Sequence, residues 1–191
     1  MTNKPFQLVI SLDTYAWMFN IIGLISRTPQ DFVIMIVTDD SNSPIASLKK
    51  LHKDVVYLQR IYDIKKIARL LGIPKIINLK HIPTKIDLHK LVAEIQLQVL
   101  LGGISNIIYQ KSYFLDEIIK NIYYKNEYVT NISSYTSSSI PFTMHDVGDI
   151  EVKLTGFEIS RKDCIIKSLV GLPQEYMNIN FLDVEFLNKE V

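Results

Sequence analysis

Apolar positions in this chain switch repeatedly between strand-length runs and helical spacing. Phe6-Gln7-Leu8-Val9-Ile10-Ser11 is a short apolar run that predicts a first strand. Asp13 to Ser26 predicts a helix, with Asp13 or Thr14 as its N-cap. Arg27 to Asp31 is a loop, and Phe32 to Thr38 is a continuous apolar strand of the kind covered on both faces. Asp39 to Pro44 is a polar turn. Leu51, Val55, Leu58, Tyr62 and Leu70 then recur at helical spacing, predicting a helix from about Ser47 to Leu71 that buries that stripe. Gly72 and Pro74 stop it.

Lys75 to Leu79 is a third strand, and His81 to Asp87 a loop. Leu88 to Leu101 forms a helix with Leu88, Leu91, Ile95 and Val99 on one stripe, ended by Gly102 and Gly103. Ser105 to Tyr109 is a fourth strand, Ser112 to Tyr124 a helix, and Tyr128 to Ile132 a fifth strand. Ser133 to Ser139 reads as a loop or an exposed hairpin. Ile150 to Leu154 alternates with period two, as a strand with one solvated face does. Ser160 is expected to cap a last helix reaching about Val170, and Leu172 to Val191 to form a strapping tail with a short helix.

Strands alternating with helices imply right-handed crossovers. The fold class is therefore α/β: one three-layer Rossmann-like domain over 1–191, with a mainly parallel sheet and helices on both faces. Residues 1–125 form the core and 126–191 a C-terminal extension.

Composition narrows the functional classes. Apolar residues make up 48% and the formal net charge is +1, so no overall field attracts nucleic acid or an anionic membrane. No apolar run approaches the roughly 20 residues a membrane helix needs. The single cysteine, Cys164, excludes an internal disulfide and a multi-thiolate zinc site, which fits a cytoplasmic setting; its stripe with Ile165 and Leu169 places it in the core. Asn131-Ile132-Ser133 matches a glycosylation acceptor by chance, since no secretion signal is recognisable. Lys, Ile, Asn and Tyr are abundant and arginine is limited to Arg27, Arg60, Arg69 and Arg161, a coding bias expected of an AT-rich viral or low-GC bacterial genome.

Candidate chemistry collects at the carboxyl ends of the strands, where α/β sheets bind ligands. Asp13 follows the first strand, and Asp39 and Asp40 follow the second. Carboxylates there suit a divalent metal or a ribose hydroxyl; capping of the turn by Asp39 and solvation of Asp40 explain the same residues. His81 and His89 bracket the loop after strand three, and His145-Asp146 is an adjacent acid–base pair. No phosphate-binding glycine loop and no Gly-x-Ser-x-Gly elbow occur. Tyr109, Tyr113, Phe114, Tyr123, Tyr124 and Tyr128 lie among lysines, a pattern that packing in a core or an interface accounts for.

The element order resembles the PIG-L/LmbE family of zinc-dependent sugar de-N-acetylases. The residues that carry the likeness are Val37-Thr38-Asp39-Asp40 after strand two, Arg60 and Asp63 in the long helix, and Leu70-Leu71-Gly72-Ile73 at its end. Gly23 stands at a family glycine, and Asp183-Val184-Glu185-Phe186 is similar to the family's terminal Ala-Glu-x-Phe. The metal motifs differ. Asp13 stands where the family has a histidine ligand, Tyr15 and Ala16 where it has two aspartates, and Ser112 where it has the second motif's histidine. A zinc hydrolase needs about three protein ligands. The resemblance therefore implies a disarmed scaffold: a non-catalytic binding or assembly protein with no cofactor and with Tyr15 and Trp17 filling the vacated pocket. The alternatives are a divergent zinc-dependent de-N-acetylase and a nucleotide-sugar transferase. The pocket residues expected are Asp13, Tyr15, Asp39, Asp40 and Ser112, with His81, His145 and Asp146 as further candidates. A protein partner or self-association and a small sugar-like ligand are expected; nucleic acid and membrane are not.

Overall fold

The computed structural model describes residues 6–39, 52–82, 84–125, 127–135, 149–171 and 184–190. Within them, strands β1 (Phe6–Ser11), β2 (Phe32–Thr38), β3 (Lys75–His81), β4 (Ile104–Gln110), β5 (Asn131–Tyr135), β6 (Ile150–Lys153) and β7 (Val184–Lys189) form one sheet in the order β3-β2-β1-β4-β5-β7-β6. The pairs β1–β2, β1–β4, β2–β3 and β4–β5 are parallel. Strand β7 runs antiparallel between β5 and β6.

Helices α1 (Ala16–Arg27), α2 (Lys53–Leu71), α3 (Leu88–Gly102), α4 (Tyr113–Lys125) and α5 (Gly156–Lys167) cover it. From β1 the chain steps to β2 and β3, then returns to the other side of β1 at β4. Right-handed crossovers that reverse direction change face. Accordingly α1 and α2, joined by α5, pack on one face, where Trp17, Ile22, Ile64, Ile67 and Ile166 meet Val9, Ile34 and Ile36. Helices α3 and α4 pack on the other, where Leu91, Ile95, Leu115 and Ile119 meet Leu8, Ile10 and Met35. Successive residues of β1 and β2 thus feed opposite cores, as period two requires. This is the three-layer, mainly parallel architecture expected.

Several local expectations are corrected. Helix α1 starts at Ala16, because both Tyr15 N and Ala16 N donate to Asp13 Oδ1, at 2.9 and 2.8 Å, and hold the preceding turn. Helix α2 starts at Lys53, with the extended His52 as N-cap, so the expected helix is interrupted there; its part from Ser47 to Leu51 lies outside the described residues. Its expected stripe is on the wrong side: Val55, Leu58, Tyr62 and Leu70 are exposed, while Val56, Arg60, Asp63, Ile64, Ile67 and Leu71 face the sheet. This helix carries apolar residues on two faces, and two charged residues lie on the inward one, so periodicity alone could not choose between them.

Leu88 is also exposed, although Leu91, Ile95 and Val99 are buried as expected. Strand β3 extends to His81; the register slips where Thr38 pairs with His81, and Lys80 takes a left-handed φ of 58°. Strand β5 is shifted to Asn131–Tyr135, so Ser133 to Tyr135 are strand rather than loop. Pairing with β4 on one side and β7 on the other gives those serines ladder partners. Thr155, not Ser160, caps α5, through a capping box with Glu158, and that helix ends at Lys167. Cys164 is exposed rather than core. The tail contributes β7 at Val184–Lys189. Gly103 ends α3 in the left-handed region, φ 58°, the helix-stop role foreseen for the glycine pair.

Candidate functional site at the sheet's switch point

The crossovers change face between β1 and β4, so the carboxyl ends of these neighbouring strands are the topological switch point where open α/β sheets bind ligands. Side chains of the chain itself bridge the two ends. Gln110 Oε1 accepts from Leu12 N at 2.7 Å and from Ser11 Oγ at 3.2 Å, and Gln110 Nε2 donates to Asp13 Oδ2 at 3.3 Å. Ser11 Oγ lies 2.7 Å from the Asp13 carbonyl oxygen. The Thr38 hydroxyl and amide both donate to the Leu12 carbonyl, at 2.7 and 3.0 Å, tying β2 to the same turn. Asp13 therefore holds two backbone amides with one oxygen and an amide side chain with the other.

Behind this turn lies a buried polar layer. Tyr15 is 1% exposed, and its hydroxyl donates to Asp63 Oδ2 at 2.9 Å. Asp63, on α2, also accepts from Val170 N at 2.8 Å and Gly171 N at 2.6 Å. A Cβ on Gly171 would lie 1.7 Å from the Tyr15 hydroxyl oxygen, so this position requires glycine while Tyr15 is in place. Arg60, 2% exposed, places its guanidinium 5.3 Å from the centre of the Tyr15 ring. Burial pulls the Arg60 pKa down, and attraction to Tyr15, Asp13, Asp39 and Asp63 opposes that shift. Burial, reinforced by the negative charge of Asp63, pushes the Tyr15 phenol far above its ordinary value, so it remains a neutral donor. Tyr135, fully buried under β1, is also raised by burial, and its hydroxyl is 3.5 Å from the Ile10 carbonyl oxygen.

The predicted residues separate into distinct places. Asp13 and Tyr15 are adjacent at the switch point. Asp39 follows β2 one strand away; its amide donates to the His81 carbonyl at 2.9 Å, and it lines an open groove of about 460 Å³ with Lys53, Asp54, Tyr57, Lys80 and Ile82. The buried His81 ring is paired through Nε2 with Glu94 of α3 at 3.1 Å, away from Asp13. Ser112 is at the start of α4, where its Oγ accepts from Leu115 N at 3.4 Å as a helix cap would. Asp40, His145 and Asp146 lie outside the described residues. Trp17 is buried in the core cluster that also holds Tyr15. Among the described residues, no three His, Cys, Asp or Glu side chains gather in a group able to hold a metal ion.

The pattern along the chain did not single out Gln110 or Gly171. A glutamine ending an apolar strand and a glycine after a helix carry no signal without the topology. Arg60 and Asp63 were visible through the family resemblance, but nothing in the sequence placed them against Tyr15 and Gly171.

In sequence, no protein-family model and no curated protein matches the chain. Solved structures do. An N,N'-diacetylchitobiose deacetylase from Pyrococcus horikoshii superimposes with a TM-score of 0.72 at 12% identity, covering 98% of this chain and 84% of that one. A deacetylase of the teicoplanin biosynthetic pathway gives 0.65 at 9% identity, covering 87% and 82%. A 4-carboxy-2-hydroxymuconate hydratase from Pseudomonas putida gives 0.69 at 13% identity, covering 98% and 97%. A hydratase among the deacetylases shows that this fold hosts more than one reaction. Identities this low speak for architecture alone, and the architecture is the PIG-L/LmbE-like deacetylase fold.

Proposed function

We propose that this chain is a non-catalytic binding or assembly protein built on a de-N-acetylase-like scaffold. The observation that carries the reading is the state of Asp13 and Tyr15. At the first motif of the resemblance, where a zinc hydrolase would present ligands to an open metal position, Asp13 is engaged within the chain, its Oδ1 by two backbone amides and its Oδ2 by Gln110. Tyr15 is buried against Asp63 and Gly171. Ala16 offers no donor, and the Ser112 hydroxyl, at the second motif, is a poor zinc ligand compared with imidazole, carboxylate or thiolate. A buried arginine beside Tyr15 further opposes a divalent cation by charge. These residues do not fit zinc, and no hydrolytic step is assigned to them.

The divergent de-N-acetylase is the second reading, favoured by the deacetylases among the structural neighbours. No observation favours the nucleotide-sugar transferase. Elemental analysis of the purified protein, with an acetate-release assay on N-acetylated sugars, separates the two readings. Substoichiometric zinc and no acetate release are expected. Stoichiometric zinc with turnover that disappears on chelation overturns the proposal.

A further inference from the structure

The outward face of α2 is apolar and basic. Val55, Leu58, Tyr62 and Leu70 are 43%, 65%, 56% and 50% exposed and follow one another along about four turns. Lys65 and Arg69 are exposed on the same side, and Lys66 lies 6.0 Å from the Tyr62 ring while donating to the Ser168 carbonyl. From Val55 to Leu71 the one carboxylate is Asp63, which is turned inward and held by Tyr15, Val170 and Gly171. The other carboxylate of α2, Asp54, is exposed in its first turn and lies 3.3 Å from His52 Nδ1, so beyond that turn the surface offers apolar anchors with positive charge and no exposed carboxylate of the helix beside them.

We infer that this face of α2 docks an acidic amphipathic helix of a partner protein. A helix laid along it would place its apolar stripe on Leu58, Tyr62 and Leu70 and its carboxylates beside Lys65 and Arg69. A second copy of this chain fits less well: parallel two-fold pairing of α2 sets these cations against each other, and antiparallel pairing about Tyr62 sets Lys65 and Arg69 opposite Gln59 and Val55, with no carboxylate directly opposite them. An anionic membrane fits less well too, since surfaces that bind acidic lipid by charge carry clusters of roughly four to eight Lys or Arg. The inference concerns a surface on the outer side of α2, so the zinc and acetate measurements above neither support nor overturn it.

The test is fluorescence anisotropy with a labelled helical peptide carrying leucines on one face and glutamates on the other. The charge-reversed leucine–lysine peptide and phosphatidylserine–phosphatidylcholine vesicles are the comparisons. The protein is expected to bind the glutamate peptide, more weakly as salt rises, and to discriminate against the lysine peptide by at least about tenfold. Leu58→Glu with Tyr62→Glu should weaken binding at least about tenfold, as should Lys65→Glu with Arg69→Glu. Leu97→Glu, at an exposed leucine of α3, should leave binding unchanged. The near-ultraviolet circular dichroism of each variant reports that it is folded. Absent binding, equal binding of both peptides, binding to vesicles alone, or a homodimer that Leu58→Glu with Tyr62→Glu dissociates overturns the inference.

Discussion

Glu185 and Gly23, 162 positions apart, are joined by a hydrogen bond of 2.8 Å from the Gly23 amide to Glu185 Oε1. The other carboxylate oxygen accepts from Leu24 N at 2.8 Å, and Lys162 Nζ is 2.8 Å from Oε1. One buried carboxylate on β7 thus binds the middle of α1 and a lysine of α5. Removing it in Glu185→Ala leaves Lys162, itself 4% exposed, as a buried charge without its carboxylate. The expected cost is about 3–5 kcal/mol, read from urea unfolding. A loss below about 1 kcal/mol would show that water reaches Lys162 and that the strand is not anchored this way.

Gly23 tests the same junction from the other side. A Cβ there would lie 2.5 Å from Leu154 Cδ2 and 3.0 Å from Glu185 Oε1. Leu154 is buried and must shift to admit it. Gly23→Ala should therefore destabilise by about 1–3 kcal/mol, although alanine is the better helix former. Thermal unfolding decides the sign, and a stabilised variant would refute the close packing.

Tyr15 and Gly171 should behave as a coupled pair. Gly171→Ala places a methyl where the Tyr15 hydroxyl sits and should cost at least about 2 kcal/mol. Tyr15→Phe loses one hydrogen bond to a carboxylate that keeps two backbone donors, for about 1–2 kcal/mol. In the double variant the hydroxyl is gone, and the nearest remaining atoms are Asp63 Oδ2 at 2.7 Å and Tyr15 Cζ at 3.0 Å. The double variant should then lose about 1 kcal/mol less than the two single losses added together. Strict additivity in a double-mutant cycle would place Tyr15 elsewhere in solution.

Buried phenols set the alkaline limit of stability. Burial raises Tyr15 and Tyr135; burial with a hydrogen bond to Asp116 raises Tyr109. Each phenol keeps its proton in the folded state above pH ~10, where an unfolded tyrosine loses it. The unfolded chain then binds fewer protons, so stability is full below about pH 10 and falls as pH rises beyond it. Tyr15→Phe should flatten that fall. An unchanged alkaline slope would count against the buried, neutral phenol.

Glu158 gives the opposite, acid-side dependence. Its carboxylate is held down to about 2 by the Arg27 guanidinium, whose Nε is 2.7 Å away, and by the Thr155 amide. The stability it adds is present above its unfolded value near ~4.3 and is lost as pH falls from there toward about 2. Arg27 is substantially exposed, so solvent screening limits the effect to about 1 kcal/mol or less. Glu158→Gln should be less stable than the parent at neutral pH and converge with it near pH ~2, as measured by chemical unfolding.

Much of this molecule was legible from pattern alone. The apolar runs at Phe6 to Ser11 and Phe32 to Thr38, the helices between them and the strand–helix alternation determined the class, because a run covered on both faces needs helices above and below it. Asp13 was legible as a turn residue at a strand's carboxyl end. Two of the residues that show where the chain closes on itself, Gly23 and Glu185, were visible through the family resemblance, but nothing in their spacing indicated that they touch.

What the tertiary structure decided falls where local preference is balanced. Helix α2 has two apolar faces, and only the positions of Asp63 and Arg60 under Tyr15 show which one turns inward. Ser133 and Ser134 read as loop until β4 and β7 supply ladder partners on both sides. Gln110 and Gly171 matter because β4 lies beside β1 and the chain after α5 passes over Asp63, contacts made across 97 and 108 positions. Periodicity records the environment of each residue along its own element; these contacts depend on which elements become neighbours, and that was set only when the sheet order reversed between β1 and β4.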